Sequence, residues 1–538
     1  MHSEAFAGLS VGLMVIPQGV AYAALAGMPL ITGIYASLIP ALVAVLFSAS
    51  SRLSVGPTAL TSILVAASLT GMAEPGSAEW VNLTVWLSLM TGLLQVGLGF
   101  ARFGWLLNLV SAPVLMAFTQ GAGVLIIASQ LPALLGLTHG WSSLWQPQHM
   151  DGASLLFGLV SLVVLLVARR WRPTFPTVLV VVLAAAAVSA GLDLSAQGTA
   201  VVGALPQGLP SVYWPTVLNW ETFKQLVLPT LVITLVSFLE TASSAKVDND
   251  RSGKRWDQDQ DLIGQGLAKV ASGLCGAFPT SASFSRSALN LYAGAQSAWA
   301  TVFSVGVILL ILLWFTSVLQ PVPQSVLAAI VVAAVMGLIK PHALVKLYRI
   351  NRVEAATAVV TLVITLLSAP RLYWGVLAGM LMGLSHFLHT RLHPRIIEVG
   401  LHADGSLRDR HLWKLPPLAP QLYALRMDAE LDFAAASSLE RAVVEHLSHH
   451  HDVHHVCLFA QPINRIDATG VESLAKLEAM LAERCITLHI SGMKLPVETV
   501  LHRAGCLQPH AGLRMYRTDA EAIHALQRVD DFTEEWHI

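Results

Sequence analysis

Long apolar stretches recur through the first three-quarters of the chain, each bounded by a few polar or turn-forming residues. A helix needs about 20 mostly apolar residues to cross a hydrocarbon layer roughly 30 Å thick. Stretches suited to that task fall at about 5–27, 31–48, 57–73, 81–101, 105–136, 152–169, 175–192, 224–244, 261–277, 284–295, 297–318, 322–339, 353–369 and 371–390, fourteen in all. The third and the tenth are short and polar at their starts, and they stand seven apart. Interrupted segments at matching places in two halves are a sequence pointer to a transport site. The chain therefore reads as a multi-span α-helical membrane protein.

Past residue 391 the pattern changes. RLHPRIIEV and the turn-rich WKLPPLAP read as a linker over 392–417. Beyond it, LYALRM, VHHVCLFA and CITLHIS are short β-type runs, separated by the helical patterns AAASSLERAVVEHL and GVESLAKLEAMLAER. Strands alternating with helices predict a small α/β domain over 418–538, after a membrane domain over 1–391.

Composition agrees with this division. Of the 538 residues 54% are hydrophobic and only 12% charged, against about 25% charged in soluble domains. Of 32 Lys and Arg, 17 precede residue 391 and 15 lie from it onward, although the first part is far longer. A net charge of −1 argues against a nucleic-acid binder, which needs a basic face. The four cysteines, Cys275, Cys457, Cys485 and Cys506, have no C-x-x-C spacing, which indicates neither a disulfide framework nor a zinc site. The first apolar segment is long enough to span, so no cleavable signal is needed.

Basic residues set the expected orientation. With the N-terminus inside, inner loops receive Arg52, Arg102, Arg169, Arg170, Arg172, Lys246, Arg251, Lys254 and Arg255, then Lys340, Lys346, Arg349 and Arg352. Outer loops carry Glu74, Glu79, Asp151, Asp193 and Glu221, with Lys224 and Arg371 at their edges as the basic residues. An even span count puts both termini in the cytoplasm.

Candidate chemistry concentrates in FPTSASFSRSALNLYAG, 278–294. Pro279 discourages a continuous helix. A helix restarting near Ser283 or Phe284 aims free N–H groups and its positive dipole end forward, and the hydroxyls of Ser283, Ser285 and Ser287 add donors. With Arg286 beside them, an anion is the natural guest, and an arginine at membrane depth is a functional hypothesis by default. The third segment offers a counterpart, SVGPTALTSILV: Pro57 suits a first helical turn, with free N–H groups at Thr58 and Ala59.

The first segment contains IPQGVAYAALAG. Pro17 and Gly19 weaken the helix, while Gln18 and Tyr22, four apart, share a face. They fit a pocket lining; the small residues equally fit helix–helix packing. Glu240 in LVSFLETASSAK has two open uses, a coupling-proton site or a structural partner for Arg286 or Lys269. In the tail, Asp467-Ala468-Thr469-Gly470 lies between a strand and a helix. Thr469 is a regulatory candidate for phosphate, although an Asp/Thr helix cap is the commoner use of such a motif. The histidine run 446–455 lacks the defined geometry a metal needs.

Together PQGVAYA in span one, S-x-G-P-T opening span three, the span-eight glutamate, S-F-S-R-S before span ten and the Asp-x-Thr-Gly turn of the tail resemble the SulP family of anion transporters, with a C-terminal STAS domain. The resemblance covers nearly the whole chain. It implies a seven-plus-seven inverted repeat, spans 1–4 and 8–11 forming a core and spans 5–7 and 12–14 a gate. The anion would sit between the starts of spans three and ten, facing span one, and the core would move like an elevator. By motif match, Gln18, Tyr22, Thr58, Ala59, Ser283, Phe284, Ser285 and Arg286 would bind substrate, with Glu240 the proton-coupling candidate. No cofactor or metal is implied. A homodimer in the cell's inner (plasma) membrane is. Two departures stand out. The region before span one is short, and VCLFAQ lacks the aspartate usual before the Asp-x-Thr-Gly turn.

The expected function is secondary uptake of an anion, sulfate first, by proton symport or exchange. Bicarbonate or a dicarboxylate such as fumarate or succinate is the alternative substrate, and an anion channel the alternative class. No nucleophile–base pair suggests an enzyme.

Overall fold

A computed structural model of the chain describes residues 1–50, 52–137, 151–171, 176–252, 256–369, 371–506 and 512–527. Arg172, Lys254 and Arg255 of the expected inner loops lie outside these residues. The described chain divides into two compact units, Met1–Gly383 and Leu384–Ile538.

The first unit is helical. Its elements are α1 (His2–Leu25), α2 (Thr32–Tyr35), α3 (Ile39–Phe47), the two-residue strand β1 (Val55–Gly56), α4 (Ala59–Leu69), α5 (Ala78–Phe100), α6 (Ala112–Leu134), α7 (Gly152–Trp171), α8 (Thr177–Gly191), α9 (Trp220–Ser252), α10 (Gln258–Leu274), strand β2 (Ser281–Ala282), α11 (Phe284–Tyr292), α12 (Trp299–Trp314), α13 (Gln324–Val335), α14 (Pro341–Ile350), α15 (Arg352–Leu367) and α16 (Tyr373–Leu392, whose end belongs to the second unit). Among the described residues, five helical stretches are long and apolar enough to cross a membrane: His2–Leu25, Ala78–Phe100, Ala112–Leu134, Trp220–Ala245 and Gln324–Ile350. Shorter apolar helices stand beside them, at Thr32–Phe47, Ala59–Leu69, Gly152–Ala168, Thr177–Gly191 and Trp299–Trp314.

Small residues let these helices approach closely. On α5 and α10, a Cβ at Gly92 would lie 2.7 Å from the Gly266 carbonyl oxygen, and one at Gly266 2.6 Å from that of Gly92. Backbones in such contact gain packing that lipid cannot supply. The first-segment motif works the same way: a Cβ at Gly33 would meet the Gly19 oxygen at 1.9 Å. Contrary to the expected weakening, α1 runs through Pro17 without a break. Its packed neighbours replace the stability that one missing N–H removes.

The interrupted segments are short. The 11 residues of α4 and 9 of α11 reach only about 16 and 14 Å at 1.5 Å per residue, half a bilayer. Pro57 stands one residue before the cap of α4 and not in its first turn, because the chain must first pair as β1. That pairing is antiparallel to β2, with Val55 opposite Ala282 and Gly56 opposite Ser281. Ser283 continues the ladder by donating its N–H to the Ser54 oxygen at 3.0 Å.

The second unit is a six-stranded sheet with helices. Strands β3 (Ile396–Leu401), β4 (Leu407–Asp409), β5 (Leu422–Met427), β6 (His455–Phe459), β7 (Thr487–Ser491) and β8 (Leu513–Tyr516) lie in the order β4-β3-β5-β6-β7-β8. Pairs among β5 to β8 are parallel; β3 pairs antiparallel to both β4 and β5. Helices α18 (Ala436–His449) and α19 (Ala468–Glu483) bury Leu439, Val443, Leu447, Leu474, Leu477 and Leu481 beside the sheet. The stretch 392–417, read from sequence as a linker, contributes β3, β4 and the turn α17 (Arg410–Trp413). Ile397 and Val399 are buried there. Its alternation IIEV is too brief to outweigh the surrounding prolines, so the strand shows only once β5 supplies its partner.

Candidate functional site

The β1–β2 ladder holds the starts of two half-helices together. Thr58 caps α4, its hydroxyl accepting from the Thr61 N–H at 3.3 Å. The N–H groups of Ala59 and Leu60 have no intrahelical partner, as in any first turn. At α11 the cap residue is Ser283, yet its side chain makes no capping bond and instead meets the Ser285 hydroxyl at 3.4 Å. Among the described residues, the N–H groups of Phe284, Ser285 and Arg286 find no acceptor. Phe284 is 57% exposed and Ser285 is exposed too, whereas Arg286 is buried.

Arg286 reaches into the ladder. Its Nε donates to Ser54 Oγ at 3.3 Å and its Nη1 to Gln18 Oε1 at 3.5 Å, while its buried Nη2 has no partner among the described residues. Gly56 lies beside this nitrogen, and a Cβ there would be in ordinary contact with it at 3.4 Å. Ser54 is itself fixed, its N–H donating to Ser287 Oγ at 3.0 Å. Gln18 and Tyr22 are both buried on α1, and Tyr22 lies within electrostatic reach of Arg286 and Glu240. The arrangement thus brings together Gln18, Tyr22, Thr58, Ala59 and Arg286, with Ser283, Phe284 and Ser285 at the outer end of the same helix start.

Glu240 makes neither of the ion pairs considered for it. Its Oε2 accepts from the Thr58 hydroxyl at 3.1 Å, and among the described residues no Lys or Arg nitrogen comes within ion-pair distance. Lys269 is buried on α10 and donates instead to Gln95 Oε1 of α5 at 2.9 Å. Gln95 Nε2 passes the chain on to Ser237 Oγ at 3.0 Å and the Thr234 oxygen at 3.1 Å, both on α9. Sequence reading missed Gln95 and Ser237. A glutamine inside an apolar helix is the available signal, because such an amide demands partners.

The second unit places Thr469, exposed, in the first turn of α19. The cap is Asp467, which accepts from the Gly470 N–H at 2.8 Å and the Phe433 N–H at 3.0 Å. The first of these bonds, with the second behind it, holds the Asp467 carboxyl below the usual carboxylate range. In the histidine run, His446 stacks on Tyr423 at 3.6 Å and on His450 at 4.2 Å.

Half-helices meeting at a paired two-strand ladder inside an apolar bundle define a class: multi-pass membrane transporters. The fold is shared with murine solute carrier 26 family member A9, an anion transporter solved in its inward-facing state, at TM-score 0.86 and 21% identity over 98% of this chain and 91% of that one. The sulfate permease family model matches residues 1–361 and the STAS domain model residues 417–522. The chain belongs to the sulfate permease family and carries a STAS domain; it is a transporter and not an enzyme. Relatives include the probable sulfate transporter 4.2 of Arabidopsis thaliana, 32% identical over 94% of this chain and 78% of that protein. The sodium-independent sulfate anion transporter of Bos taurus is 29% identical over 93% and 85%.

Proposed function

We propose that the chain is a secondary active carrier that takes up sulfate by proton symport or anion exchange. The anion sits between the starts of α4 and α11, opposite Gln18 and Tyr22. The observation that carries this reading is the uncapped start of α11, where, among the described residues, three N–H groups find no acceptor beside a buried guanidinium whose Nη2 has no partner. Backbone donors at a helix start, a dipole and one formal charge suit an oxyanion. The sulfate transporters among its relatives favour sulfate over bicarbonate or a dicarboxylate.

Glu240 is the proton site in this reading, joined to the anion site through Thr58. Fourteen spans in two inverted halves of seven form core and gate, and the core moves as an elevator. The antiparallel β1–β2 pair, each strand followed by a half-helix, is what a two-fold axis in the membrane plane produces. The membrane domain is 1–391 and the STAS domain 418–538, both termini cytoplasmic, in an inner-membrane homodimer with Thr469 as a regulatory position. Counterflow in proteoliposomes tests the class. Saturable labelled-sulfate uptake, accelerated by unlabelled sulfate inside, is the expected result. Linear, non-saturating flux without counterflow means a channel.

A further inference from the structure

Helix α14 is unlike its neighbours. It is ten residues long, and none of them is buried. At 100° per residue, His342, Lys346 and Arg349 form one stripe, while Leu344, Leu347 and Tyr348 form the opposite side. Leu344 and Leu347 are half-buried, but Val345 and Tyr348 are each 57% exposed and Ile350 71%. The flanks continue the pattern, Lys340 before the helix and Arg352 after it, with Leu338 and Val353 exposed alongside. Among the described residues, none of Lys340, Lys346, Arg349 and Arg352 makes an ion pair. The nearby acid, Glu354, is occupied by the Asn351 amide at 3.0 Å. Arg352 lies over the Tyr348 ring, 5.8 Å from its centre.

A short helix with a basic stripe, exposed apolar side chains and no acid to neutralise it has one environment that satisfies both faces, the headgroup layer of an acidic bilayer. There Val345 and Tyr348, three apart on one edge of the helix, enter the acyl boundary, and the cations stand among phosphates. We propose that α14 is an interfacial anchor that binds acidic phospholipid headgroups. It joins α13 to α15, so such an anchor ties the lipid surface to helices assigned above to the gate. The assignment of α14 to the gate rests on the proposed function; the lipid binding does not.

The test uses the full chain in vesicles of phosphatidylcholine and phosphatidylglycerol at a bulk ratio of about 7:3, with a photoreactive benzoylphenylalanine in place of Tyr348 and mass spectrometry of the adducts. Phosphatidylglycerol adducts should exceed their bulk share. Adding Lys346→Gln and Arg349→Gln together should lower the excess by roughly fivefold for each cation removed, whereas Lys346→Arg with Arg349→Lys should keep it. High salt should reduce it as well. Variants are compared after monodisperse elution. Adducts at the bulk lipid ratio, an excess indifferent to the double Gln variant, or crosslinks to protein in place of lipid would each overturn the proposal. The readout involves no transport, so a failed carrier reading leaves it standing or falling by itself.

Discussion

Replacing Arg286 separates the two roles a buried arginine can play. The guanidinium does little for the fold, because its two hydrogen bonds among the described residues, at 3.3 and 3.5 Å, are long. The ladder it touches is held without it: Ser54 keeps its bonds with Ser283 and Ser287. Arg286→Met retains most of the volume and removes a buried charge that makes no ion pair among the described residues. For the anion the loss is different in kind. One charge-assisted hydrogen bond contributes about 1.5–3 kcal/mol, so sulfate affinity should fall roughly tenfold to somewhat over a hundredfold. Arg286→Lys keeps the charge but not the fork and should recover part of the loss. The assay is calorimetric titration of sulfate into the monodisperse full chain, with initial uptake rates at subsaturating sulfate beside it. A well-folded Arg286→Met protein binding sulfate within twofold of wild type would refute the electrostatic role.

Glu240→Gln should abolish the stimulation of uptake by an inward proton gradient while leaving counterflow measurable; full acid stimulation in the variant would move the proton elsewhere. Ser285→Ala keeps the backbone N–H and should cost about 1 kcal/mol of anion affinity. Ser285→Pro deletes that N–H and should cost roughly twice as much; equal losses would mean that the backbone of α11 does not hold the anion. In the second unit, Asp467→Ala should cost about 1 kcal/mol of local stability, read as faster hydrogen exchange around Phe433 and Gly470 in the full chain. Because the folded Asp467 carboxyl titrates lower than in the unfolded chain, its contribution is complete above the ordinary carboxylate range. It is lost as pH falls through the lowered value. Protection at these amides that is unchanged at low pH would contradict this.

Much of this architecture was legible because membrane helices are specified by composition over long windows. The strands β5, β6 and β7 were legible because each is a short, mostly apolar run, LYALRM, HVCLF and TLHIS, flanked by polar or turn-forming residues. The stretch around Ser283–Arg286 announced itself through a cost, hydroxyls and a guanidinium among apolar residues. What stayed hidden depends on partners far away in sequence. The two residues of β1 have no strand signal of their own and exist because Ala282 and Ser281 lie opposite them. Lys269 offered itself as a partner for Glu240 only while Gln95, 174 residues away, was out of sight. Likewise the partners of the motif around Gln18 lie on other helices. Gly19 packs against Gly33, while Gln18, on the next position, turns to Arg286.

Thr58 is where the proposed proton and anion sites become one device. Its hydroxyl donates to Glu240 at 3.1 Å, stands 2.9 Å from the Thr61 hydroxyl and accepts from the Thr61 N–H at 3.3 Å. A hydroxyl has one proton to give. With Glu240 ionised, that proton is committed to the carboxylate. A protonated Glu240 can donate in its turn, and the Thr58 proton is released toward Thr61 or toward an anion at the start of α4. The same event removes a negative charge from beside a site built for an anion. Both consequences have one sign, so proton binding and anion binding favour each other. By linkage, sulfate must then raise proton affinity by the factor by which protons raise sulfate affinity. Thr58→Val keeps the shape and removes the joint. It should leave each ligand able to bind and shrink the pH dependence of sulfate affinity, measured calorimetrically across neutral pH, toward none. A variant with weakened sulfate binding but the full wild-type pH dependence would place the coupling outside Thr58.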